Sequence, residues 1–189
     1  SIGQVYKLKV YKLPQGTPQA RGKAMVNMLP LSEGETITTI MPLPEDETTW
    51  NELHIMFATS NGKVRRNSLD DFSQVKANGK IAIRLDDDDA LVGVATCSED
   101  DDVLLAAHGG KCIRFPVTAV RVFKSRTSDG VRGINLGKDD RVLSMSVVRH
   151  EKIEVEERDA YLRWSNANRR GEDLSDTGLS PERLAEIAE

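Results

Sequence analysis

Aromatic residues are scarce in this chain: Phe, Trp and Tyr make up 5% of its 189 residues. That argues against a platform on which unpaired bases stack. Cysteine is rarer still. Cys97 and Cys112 lie in no CxxC or Cys/His spacing, which excludes a disulfide-stapled scaffold and a zinc site. The expectation is two reduced thiols, buried in strands of a cytoplasmic protein. His54, His108 and His150 complete the histidines, and none has a metal-like neighbour at helical spacing. No stretch approaches 18 apolar residues, so no membrane-spanning helix is expected, and no signal peptide is visible.

What the chain does have is repetition. Gly3-Gln4-Val5-Tyr6-Lys7, Gly62-Lys63-Val64-Arg65-Arg66 and Gly110-Lys111-Cys112-Ile113-Arg114 share a turn glycine with a basic residue four positions later. A second phrase reads Arg21-Gly22-Lys23, Asn78-Gly79-Lys80 and Arg132-Gly133-Ile134. A third is Leu31, Leu85 or Leu136 before an acidic stretch, and a fourth is an apolar run at 36–41, 90–95 and 141–148. Four phrases in constant order, recurring about every 50 residues, point to a propeller-like or solenoid array.

The local pattern is β. Residues 53–59 read as a strand, Ser60-Asn61-Gly62-Lys63 as a tight turn, and Val64 onward as the returning strand. Residues 103–107 turn likewise through His108-Gly109-Gly110. Continuous apolar runs fit strands covered on both faces. Each repeat is expected to supply about four strands. The fold class is therefore all-β, with blades over residues 1–149. Residues 150–189 break the pattern. Ala160, Tyr161, Trp164 and Ala167 stand at helical spacing, Gly171 is a stop, and Ser180-Pro181-Glu182 is a second helix start. This segment reads as an acidic helical insertion or arm. A chain that begins on Ser1-Ile2-Gly3 reads as a piece of a longer protein.

Charge divides along the chain. Residues 1–149 hold 20 Lys/Arg and 19 Asp/Glu, whereas residues 150–189 hold 6 and 11. Within the repeats the acids gather in turns, such as Asp86 to Asp89, and the cations in glycine-led strands. No catalytic constellation stands out. Gly109-Gly110-Lys111 lacks the first glycine and the Ser/Thr of a phosphate loop, the Asp86–Asp89 run lacks the glycine and glutamate of a calcium loop, and no serine sits in a nucleophile elbow. The remaining chemistry is cationic. If Lys7, Arg66 and Arg114 occupy equivalent places, they present a regular row of charge, the kind of surface that a phosphate backbone selects.

At these residues the chain resembles the C-terminal domain of DNA gyrase A, from the type IIA topoisomerases. The phrases that carry the resemblance are Gly62 to Arg66 with Leu69-Asp70-Asp71-Phe72, Gly3 to Lys7 with Tyr11-Lys12-Leu13-Pro14, and Thr127-Ser128-Asp129-Gly130-Val131-Arg132-Gly133-Ile134. Glu157-Arg158-Asp159-Ala160-Tyr161-Leu162 is similar to an insertion in this domain in some bacterial lineages. The resemblance implies a β-pinwheel, a propeller-like disc of six blades of which this chain holds about three. It implies duplex DNA wrapped on a basic rim, with Lys7, Lys9, Lys23, Lys63, Arg65, Arg66, Lys80, Arg84, Lys111, Arg114 and Arg132 as rim candidates. It also implies the remainder of DNA gyrase A and the separate polypeptide DNA gyrase B as partners. No cofactor and no catalytic site are expected in this segment, and the parent enzyme would supercoil DNA with ATP. The basic glutamine-arginine-glycine box that separates gyrase from topoisomerase IV is not in the chain. The equivalent topoisomerase IV domain is therefore an alternative, as is a propeller-type protein-interaction scaffold.

Overall fold

The computed structural model describes residues 1–125, 128–171, 180 and 182. The chain forms two compact units, Ser1–His150 and Glu151–Glu189. The first contains β1 (Gln4–Val5), β2 (His54–Thr59), β3 (Lys63–Ser68), β4 (Lys80–Ile81), β5 (Leu91–Cys97), β6 (Asp101–Ala107), β7 (Cys112–Pro116), β8 (Val131–Arg132) and β9 (Val142–Arg149). They build three sheets, ordered β1-β4, β5-β2-β3-β8 and β7-β6-β9. Every named pairing is antiparallel.

Each repeat lends a short strand to the repeat before it. β4 pairs with β1 through Val5↔Lys80, and β8 pairs with β3 through Val64↔Val131. The hairpin-and-outer-strand unit is repeated as β5-β2-β3 and β9-β6-β7, each with a register shift at the same place, after Ala58 and after Ala106. This correspondence corrects the second phrase. Gly79 precedes β4 at φ +80° and its counterpart before β8 is Gly130 at φ +102°, not Gly133, which keeps an ordinary φ. A Cβ on Gly130 would lie 2.4 Å from the Val64 carbonyl oxygen, so the borrowed strand requires glycine there on both counts.

The unbroken apolar run of β2 has a physical reason. Ile55 and Phe57 enter one core cluster with Trp50, Leu69, Phe72 and Ile83. Met56 and Ala58 enter another with Val64, Val103, Leu105, Val117 and Val142. Successive side chains of a strand point to opposite faces, so β2 has an apolar layer on each side. The apolar run of the first repeat, at 36–41, forms no strand. In the later repeats the outer strand pairs with the strand just before the turn glycine (β5 with β2, β9 with β6), and residues 36–41 have no such pairing. The same lack shows seven and ten positions after each glycine. Leu69 and Phe72 are buried, as are Val117 and Val120, but Val10 and Leu13 are exposed.

In the second unit α1 (Val155–Arg170) ends on Gly171 in the left-handed region, φ +67°, whose N–H returns to Ala167 and Asn168 carbonyls. Tyr161 and Trp164 stack at 5.7 Å between ring centroids. At the expected helix start Ser180-Pro181-Glu182, Glu182 is helical, and Pro181 and residues 183–189 lie outside the described residues.

Candidate nucleic-acid interface

The recurring cation four residues after each glycine does not form the expected displayed row. Lys7 Nζ donates to Glu47 Oε1 (2.6 Å) and to the Ser73 carbonyl (3.1 Å), and it sits 4.6 Å from the centre of the Trp50 ring. Its hydrogen bond holds the Glu47 carboxyl below the ordinary glutamate range. Lys7 is not on a strand alternating with Lys9, because β1 ends at Val5. Arg66 is 5% exposed and its Nη1 lies 3.4 Å from Glu99 Oε1. Arg114 Nε lies 3.4 Å from Asp102 Oδ2. One slot thus holds a basic residue bound to an acid in all three repeats, and the bond ties elements of the fold together.

The partners in the second and third repeats exchange places. His54 and Asp102 are equivalent positions at the starts of β2 and β6, paired to Cys97 and Val148. Glu99 and His150 follow those partners by two residues. In the second repeat His54 Nε2 is 3.6 Å from Glu99 Oε1, and in the third His150 Nδ1 is 2.8 Å from Asp102 Oδ1. Burial, with the Arg66 charge beside it, lowers the His54 pKa. Asp102 is itself 2% exposed. A carboxylate so buried needs both His150 and Arg114.

The adjacent cations of the second repeat are also engaged. Arg65 is fully buried. Its guanidinium donates to the carbonyls of Ser125 and Ser128 (the latter at 2.6 Å) and lies over the Phe123 ring. Lys63 Nζ sits between Asp86 (2.7 Å) and Asp129 (2.5 Å). Those hydrogen bonds raise the Lys63 pKa, and the Lys63 bond lowers that of Asp129. Lys80 Nζ donates to the carbonyls of Asp71 (2.9 Å) and Gln74 (3.0 Å).

The structure thus places Lys7, Lys63, Arg65, Arg66 and Lys80 in hydrogen bonds or ion pairs within the fold, with Arg65 and Arg66 buried and the three lysines half-buried. The residue pattern does not reveal this, because a strand that is covered on both faces looks the same whether its cations point to solvent or are met by carbonyls. Lys9, Lys23, Arg84, Lys111 and Arg132 are exposed, and Arg114 is half-exposed. The acidic turn at 86–89 is also more than a solvated run. Asp89 Oδ1 accepts from Asn61 N (2.9 Å) and Ser60 Oγ (2.8 Å) and so fastens the β2–β3 turn. Cys97 is buried, which pushes its thiol up to about 12, but Cys112 is exposed on β7. Among the described residues no group of His, Cys, Asp and Glu could hold a metal ion.

Comparison with known proteins agrees with this architecture. The family model described as DNA gyrase C-terminal domain, beta-propeller, matches residues 1–44, 53–98 and 101–149. The chain is 53% identical to the DNA gyrase A of Rickettsia bellii over 190 residues, covering 98% of this chain and 21% of that protein. It is 44% identical to the DNA gyrase A of Escherichia coli, covering 79% of this chain and 17% of that protein. The chain spans about a fifth of the length of these curated relatives. Among solved structures, the C-terminal domain of DNA topoisomerase IV aligns with a TM-score of 0.68 at 23% identity, covering 78% of this chain and 45% of that one. A DNA gyrase A C-terminal domain aligns with a TM-score of 0.62 at 23% identity, over 77% and 45%. Three matched segments, over a fold in which repeats exchange strands, place this chain in the DNA gyrase C-terminal domain, beta-propeller, family.

Proposed function

We propose that this chain is a non-catalytic module of a DNA gyrase A polypeptide that binds and wraps duplex DNA, supporting ATP-dependent negative supercoiling by the assembled enzyme. The observation that carries the reading is 53% identity to a DNA gyrase A over nearly the whole chain. The fold supplies a basis for it, since apolar layers cover both faces of β2 and ion pairs tie elements of each repeat together. The partners proposed are double-stranded DNA, the remainder of DNA gyrase A, and DNA gyrase B. The proposed location is the cytoplasm, and the module's own role requires no cofactor.

Bending a duplex of 20–30 bp around a small protein costs on the order of 1–6 kcal/mol. Phosphate contacts offset that cost without reading sequence. The candidates for those contacts are the exposed cations Lys9, Lys23, Arg84, Lys111, Arg114 and Arg132. If about six phosphates are neutralised, log K for linear duplex falls against log salt with a slope near −5. Fluorescence anisotropy of a labelled duplex, titrated at several salt concentrations, measures it. Binding that ignores salt, or a marked preference for one duplex sequence, overturns the reading.

A further inference from the structure

The two complete hairpins carry the same turn architecture with different charge. In the second repeat Asp89 Oδ1 accepts from the Asn61 amide (2.9 Å), and the Ala90 carbonyl accepts from the Ser60 amide (2.8 Å). In the third, Asp140 Oδ1 accepts from the Gly109 amide (2.8 Å), and the Arg141 carbonyl accepts from the His108 amide (2.8 Å). Residues 86–90 and 137–141 are therefore the same loop. The former reads Asp-Asp-Asp-Asp-Ala and the latter Gly-Lys-Asp-Asp-Arg.

That difference decides the state of one lysine. Lys63 and Lys111 both directly follow the turn glycine. Asp86 grips Lys63, but the residue equivalent to Asp86 in the third-repeat loop is Gly137. The other grip on Lys63, Asp129, comes from the segment that β8 lends to β3. Lys111 is exposed, and it has no ion pair among the described residues. The same holds for Lys138 and Arg141. The adjacent amides of Ala107 and His108 donate to the Lys111 and Arg141 carbonyls, both at 2.8 Å, so these two cations flank one turn. Of the two acids in the loop, Asp140 already caps the turn, accepting also from Arg141 N at 2.9 Å, and Asp139 is exposed. The wider balance follows the loop. Residues 50–107 hold 6 Lys/Arg against 11 Asp/Glu, whereas residues 108–149 hold 9 against 3.

We propose that the β6–β7 turn, with Lys111, Lys138 and Arg141, is the principal site at which this chain grips the phosphate backbone of duplex DNA. The duplex passes the β2–β3 turn without engaging Lys63. The inference rests on the DNA-binding reading above and assigns that binding unevenly among the blades. A rim potential set by local charge attracts a polyanion at one blade and repels it at the next, although the sum over all blades is near zero.

The test compares duplex binding by four variants of the 189-residue chain across a salt series, one of them Lys111→Gln alone. The triple variant Lys111→Gln, Lys138→Gln, Arg141→Gln is expected to reduce the magnitude of the log K against log salt slope by about 2–3, at about 0.9 for each phosphate no longer neutralised. Lys63→Gln is expected to leave the slope where it was. The double variant Asp87→Lys, Ala90→Arg gives the second-repeat loop the two cations of the third, and it is expected to steepen the slope. A folding defect cannot mimic that gain. An unchanged slope in the triple variant, or a loss with Lys63→Gln equal to that of Lys111→Gln alone, overturns the assignment and leaves DNA binding standing. Salt-insensitive binding by the unaltered chain overturns both.

Discussion

Arg65 shows how far a residue's role depends on its surroundings. In the sequence it is one of three cations beside a turn. In the fold its guanidinium is sealed against Phe123 and satisfied by the carbonyls of Ser125 and Ser128. Replacing it with methionine leaves those carbonyls without their donor. The expected cost is about 2–4 kcal/mol, read as a lowered urea midpoint, with no change in the salt slope of DNA binding. His54 gives a pH dependence. Its pKa is depressed in the fold by burial and by Arg66, so the unfolded chain binds the proton more readily. The folded state is therefore favoured in full above the ordinary histidine value of about 6.5 and loses that advantage as pH falls below it. Urea midpoints measured between about pH 7.5 and 5, a window that spans this value, should decline for the native chain. The decline should be shallower for His54→Gln.

At the level of elements, much is legible in the sequence and one register is not. The hairpins β2–β3 and β6–β7, the outer strands β5 and β9, and the stop of α1 at Gly171 follow from Asn-Gly and Gly-Gly turns, apolar runs and a glycine cap. The second phrase aligns on Gly133 as readily as on Gly130, because Gly130-Val131-Arg132-Gly133 offers two glycines three residues apart, and only backbone conformation distinguishes them. The run at 36–41 has the composition of a strand, but a strand needs a neighbour. Strand exchange itself yields a sharp expectation. Gly130→Ala places a Cβ 2.4 Å from the Val64 carbonyl at a φ of +102°. It should cost about 1–3 kcal/mol, and hydrogen exchange should show β8 and the Val64 amide losing protection first. Protection equal to the native chain would mean that β8 is not pinned by this glycine.

On the scale of the whole molecule, charge is sorted by blade as well as by turn. Residues 151–189 hold 6 Lys/Arg and 11 Asp/Glu. A polyanion near the blades feels that excess wherever the segment lies within a Debye length, about 10 Å at 0.1 M salt. Deleting residues 151–189 is therefore expected to tighten duplex binding several-fold below about 0.1 M salt and to have no effect near 1 M, where the screening length is about 3 Å. Equal affinities at low salt would show that the segment's charge does not reach the DNA.

The sequence by itself determined the class of fold, the number of repeats, the hairpins and the family, because turn glycines, strand period and apolar runs are local properties and the repeat states each of them up to three times. Only the tertiary structure decided which cations are displayed. Lys63 and Lys111 occupy the same slot after the same glycine, and the difference between them is made by Asp86 and Asp129, which lie 23 and 66 residues from Lys63 along the chain. Charge neutralisation depends on distances in space, and those are set when one repeat lends its strand to another.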